Sequence, residues 1–127
     1  MEVASLYEWG GKNADGSDGF ARHRSGWPLP IHALLVTNHV SAVFHGHDHL
    51  YVKQDLDGIV YQECPQPGDP RGGTRSAAEY GYKSGVLLGS SGYLRVTVGV
   101  GTVKVEYVAT TPGKAGVVAH SYVMTAR

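Results

Sequence analysis

The chain has 127 residues, enough for one domain built around one hydrophobic core. Its formal net charge is zero and no lysine or arginine cluster appears, which predicts no nucleic-acid partner and no attraction to an anionic membrane. No stretch approaches the roughly 18 consecutive apolar residues of a membrane span, and 17% charged residues with 18 glycines point to strands and loops rather than a helical bundle.

Residues 1–27 place Tyr7, Trp9, Phe20 and Trp27 among glycines and small polar residues, with no period of 2 or 3.6. Such a segment reads as a long loop, of the kind that often forms a lid or substrate wall. Met1 to Gly10 carries neither the basic n-region nor the apolar h-region of a secretion signal. Asn13 to Gly19 superficially resembles a calcium loop, but Asp18 stands where its glycine belongs and Arg24 where its last acid belongs. A turn-rich surface loop is the better reading.

Pro28 to Val40 is the one convincing helix. Its prolines suit a helix start, and Ile31, Leu34, Leu35 and Asn38 trace one side with Leu34 and Leu35 pointing inward. His32 and His39 then fall on polar or boundary faces. Ser41 to His45 reads as a buried strand. Leu50–Gln54 and Ile59–Glu63 flank Asp55-Leu56-Asp57-Gly58, and Asp-Gly between β-prone runs is a strong hairpin signal. Residues 64–84, with Arg71 and Arg75, read as a surface loop holding the single cysteine, Cys64, so no internal disulfide forms. Tyr93–Val98 and Val103–Val108 alternate with period 2 around Gly99-Val100-Gly101, and Val117–Met124 follows the turn 110–116. The fold class is therefore α+β, with one main helix and about six mostly antiparallel strands.

Between the first strand and the hairpin stands Val43-Phe44-His45-Gly46-His47-Asp48-His49, which holds three of the seven histidines at alternate positions. Imidazoles two residues apart project to one side of an extended chain, and Gly46 permits a sharp exit from the sheet. Neutral histidine is the commonest protein ligand for zinc and similar metals, so this is a metal-site candidate. Other His-x-His families fit poorly. A metallo-β-lactamase pattern needs Asp at 49 and His at 50, where the chain has His49 and Leu50. A cupin pattern needs a glutamate where Val52, Lys53 and Gln54 stand, and an amidohydrolase barrel needs about 250 residues.

An apolar strand, then Gly46-His47-Asp48-His49, then Leu50-Tyr51, resembles the last motif of the calcineurin-like metallophosphoesterases, which include the purple acid phosphatases. Pro28 to Leu35 resembles the helix leading into that strand, and Asp55 to Tyr61 the hairpin after it. The resemblance implies the C-terminal part of an α/β/β/α sandwich, a single partial domain over 1–127. Its segments are the loop 1–27, the helix, strand, motif and hairpin 28–63, the loop 64–84 and the antiparallel strands 85–127. It also implies a phosphoester substrate and a dinuclear site of iron, zinc or manganese, in which such metal pairs activate a bridging hydroxide. His47 would then serve the second metal and His49 the first. Asp48 would stand behind the ligands, Tyr51 on the substrate side, and His45 would pack or hydrogen-bond.

The family's earlier motifs, Asp-x-His, Gly-Asp-x-x-Asp and Gly-Asn-His-Asp/Glu, are absent. Gly68-Asp69-Pro70-Arg71-Gly72 lacks the second aspartate, and Thr37-Asn38-His39-Val40 lacks the glycine and the acid. Two histidines fall short of the three or four protein ligands of a zinc site. The resemblance thus implies a segment whose partner half lies elsewhere, incomplete as a catalyst alone; Met1 would be an internal methionine taken as a start, or the gene would be broken or divided, and localisation stays open. Two further readings compete. One is a non-catalytic fragment or subunit, associating with the missing N-terminal half or as a homodimer through an exposed sheet face. The other is a mononuclear zinc site of His45, His47 and His49, which Gly46 disfavours by ending the strand before His47.

Overall fold

The computed structural model describes residues 2, 3, 5–69 and 73–125; Arg71 lies outside the described residues. The elements in order are α1 (Tyr7–Gly10), α2 (Phe20–His23), α3 (Ile31–Thr37), β1 (Ala42–His45), β2 (Tyr51–Leu56), β3 (Ile59–Glu63), a 3-10 turn (Arg75–Ala77), β4 (Val86–Leu88), β5 (Gly92–Gly99), β6 (Thr102–Ala109) and β7 (Val118–Thr125). The α+β class holds, with the second sheet wholly antiparallel. Among the described residues there are seven strands, not six: β4 has only three residues, too short for a period to show. Two one-turn helices also interrupt the segment read as a plain loop.

The main helix, expected over Pro28–Val40, is confined to Ile31–Thr37. At its end, Thr37 Oγ1 and Asn38 Nδ2 donate to the carbonyls of Ala33 and Leu34. His39 follows at φ 54°, and the amides of His39 and Val40 close back on Val36 and Leu35. That is the paired bonding of a left-handed helix cap, here without glycine. Leu34, expected inside, is 46% exposed. The helix holds the sheet instead through His32, whose Nδ1 lies 2.7 Å from Tyr61 Oη and whose Nε2 lies 2.9 Å from Asp57 Oδ2.

The first sheet has the order β1-β3-β2-β4. β2 and β3 form the expected hairpin, with Leu56 opposite Ile59 and the two-residue turn Asp57-Gly58 at φ 48° and 74°. β1 pairs in parallel with β3, which carries His45 alongside Glu63. One face of this sheet, with Val52, Tyr61 and Glu63, meets the helices and the loops. Leu50, Val52, Ala77 and Tyr82 cluster there with Leu87 packed against them. Burying side chains of this size stabilises by about 1.5–3 kcal/mol each. Ala77 and Tyr82 come from the stretch read as a surface loop, so part of 64–84 is core.

The other face meets the β5-β6-β7 meander. Tyr51 stacks on Tyr107 with ring centroids 4.6 Å apart, and Tyr122 Oη donates to Gln62 Oε1. Gly92 is required where β5 crosses Tyr107, because a Cβ there would stand 2.2 Å from that ring. The edge strand β7 thus reaches β3, while β1 lies one strand further out. Phe44, expected to be buried, is consequently 44% exposed.

Candidate functional site

β1 ends at His45, and residues 46–50 leave the sheet without strand geometry before β2 begins at Tyr51. The extended arrangement expected for alternate histidines is not what forms. Gly46 does not take a left-handed conformation, and a Cβ on it would meet nothing within 4 Å. The left-handed positions are the histidines themselves: His47 at φ 122° and His49 at φ 59°. Both side chains are exposed, that of His47 by 81%, whereas Asp48 and Leu50 are buried. From His47 to Leu50 exposure and burial alternate.

Three polar groups from distant parts of the chain fix the loop backbone and its aspartate. The Asp48 amide donates to Glu63 Oε1 at 2.9 Å. Tyr82 Oη donates to Asp48 Oδ2 at 2.7 Å. The Ser90 hydroxyl donates to the His49 carbonyl and accepts from the Gln66 amide. On its other oxygen Asp48 accepts from His47 Nδ1 at 3.0 Å, which leaves His47 Nε2 for anything outside. Burial opposes ionisation of Asp48, but the hydrogen bonds it accepts, those of His47 and Tyr82 among them, outweigh it and hold the carboxyl at about 2. The reciprocal effect, added to burial, pushes the Tyr82 phenol well up. Tyr80 completes the surround, its ring edge-on to His47 at 6.0 Å. Asp48 therefore stands behind His47, bonded to one of its ring nitrogens.

His45 lies beside Glu63, with Nδ1 2.5 Å from Oε2. Tyr51 needs a correction. It is fully buried on the opposite face of the sheet, with its hydroxyl 2.7 Å from His120 Nδ1, so it braces the two sheets instead of facing a substrate. Burial also lowers the His120 pKa. Glu2, Trp9, His45, His47, Asp48 and Tyr61 line a cleft of ≈ 240 Å³ beside the motif. Glu63, Tyr82 and Ser90 were missed from sequence. Each meets the loop only through the folded sheet, so no local pattern pointed to it.

The donor set is short of a metal centre. Among the described residues no three His, Cys, Asp or Glu side chains are grouped so as to hold a metal ion. The mononuclear set of His45, His47 and His49 does not converge, since His45 turns to Glu63. The residues present do not fit a complete dinuclear centre. Asn13–Gly19 is a self-bonded turn in which Asp15 accepts from Ser17 and Lys12 pairs with Asp18. No protein-family model matches the chain, and no curated protein matches it in sequence.

Proposed function

We propose that the chain is a portion of a metal-dependent phosphoester hydrolase of the calcineurin-like kind. In this reading His47 and His49 are a partial ligand set, completed from outside the chain, and the chain alone is not a catalyst. The layer order of helices, mixed sheet and antiparallel sheet supports the C-terminal part of an α/β/β/α sandwich. One observation carries the reading: two exposed histidines are held at positive φ, at the carboxyl end of a parallel-paired strand, by buried partners. Backbone of that kind costs about 1–3 kcal/mol per residue and persists where the surroundings over-determine it for function.

Calorimetric titration of zinc, manganese and iron into the purified chain, beside a His47→Ala/His49→Ala double variant, tests it. Weak binding that disappears in the variant, with no hydrolysis of a chromogenic phosphoester, is the expected result. Equal binding by both proteins would remove His47 and His49 from the site. Tight binding with hydrolysis would overturn the incompleteness.

A second reading is a non-catalytic subunit that associates through the first sheet. Phe44 on the edge strand β1 and Leu34 on α3, both nearly half exposed, favour it. Light scattering would then show a dimer that Phe44→Asp dissociates; a monomer at high concentration would dismiss it.

A further inference from the structure

The structure assigns Glu63 as the positioning residue of the histidine loop: one carboxylate oxygen accepts the Asp48 amide after Gly46, and the other faces the His45 ring before it. The assignment deepens the reading above, in that it gives the histidine loop a support chosen for placement rather than stability.

Glu63 ends β3 in parallel register with His45, and its residue is 1% exposed. Oε1 accepts the Asp48 amide at 2.9 Å, after the glycine. Oε2 stands 2.5 Å from His45 Nδ1, before the glycine. Among the described residues Glu63 Oε2 is the buried side-chain oxygen without a formed hydrogen bond. His45 Nδ1 is the ring nitrogen that faces it.

A carboxylate here is chemically specific. Burying one costs several kcal/mol unless it is paired, and an apolar residue of similar size is often neutral or stabilising in such a place. Glutamine, of equal shape, would satisfy the Asp48 amide but has a single acceptor oxygen. Only a carboxylate accepts at both points. With Glu63 accepting, the His45 ring proton sits on Nδ1; in the neutral ring the acceptor lone pair is then on Nε2, the nitrogen away from Glu63. The same side chain fixes the amide from which His47 and His49 diverge. One residue therefore sets the tautomer of one histidine and the path of two others.

The test uses Glu63→Gln and Glu63→Ala in the whole chain, read by imidazole nitrogen–proton NMR and amide hydrogen exchange, with no metal or substrate added. The wild type should show the His45 proton on Nδ1 and a protected Asp48 amide. Glu63→Gln should lose one of the two signatures and Glu63→Ala both, with Asp48 exchange faster by about ten- to a hundredfold where its bond is lost. A wild-type ring proton on Nε2 alone, or both signatures intact in Glu63→Gln, would overturn the assignment. The isosteric glutamine keeps the test decisive if the alanine variant does not fold. Failure of zinc binding would instead count against the functional reading and leave these two signatures untouched.

Discussion

Two reversals flank β2 and both use left-handed backbone, yet for opposite reasons. The turn Asp57-Gly58 consists of residues that tolerate positive φ, and it closes a two-residue hairpin through its own stereochemistry. The loop 46–50 has a glycine available but places positive φ on His47 and His49 instead. Its conformation comes from Glu63, Tyr82 and Ser90. The first turn relieves strain through its own residues; the second holds strain against buried anchors supplied by other parts of the chain.

The comparison can be broken most severely at Tyr82. Tyr82→Ala removes a ring from the Leu50–Val52–Ala77 cluster together with the hydrogen bond to Asp48. We expect a loss of about 3–5 kcal/mol in urea unfolding, and faster amide exchange at 46–49 but not at 57–58.

Glycine substitution sharpens the contrast. His47→Gly should raise stability by about 1–3 kcal/mol by releasing backbone strain, whereas Gly58→Ala should lower it by about 1–2 kcal/mol because alanine resists the left-handed region. A His47→Gly variant that melts lower than the parent would remove the argument from strain.

Acid gives the smallest effect and its sign is fixed. Asp48 titrates at about 2, below its ordinary value near 3.8. Its contribution is complete above about pH 4 and is lost as pH falls toward 2. Tyr82→Phe, which removes one of the bonds holding Asp48 ionised, should flatten that part of a stability–pH curve. An unchanged curve would mean that Tyr82 does not support the carboxylate.

Side-chain chemistry across the sheets was legible only in part. The alternation of 93–98 and 103–108 gave the meander, because period 2 follows from the pleat itself. It could not say that Tyr51 faces that meander and not a substrate, since the pattern names two faces without saying what covers each. Likewise Leu34 reads as core by helical spacing, but the helix contacts its sheet through His32.

By itself the sequence determined the hairpin, the meander, the strand before the motif and the candidate status of His47 and His49. Each of these rests on neighbours a few residues apart, where stereochemistry and periodicity act directly. Tertiary structure alone decided the parallel pairing of β1 with β3, the exposure of both motif rings and the burial of Asp48 between them. It also supplied the anchors. Glu63, Tyr82 and Ser90 meet their loop partners across 15, 34 and 41 residues of chain. Contacts of that separation leave no local pattern, because they exist only once the sheet has brought the two stretches together.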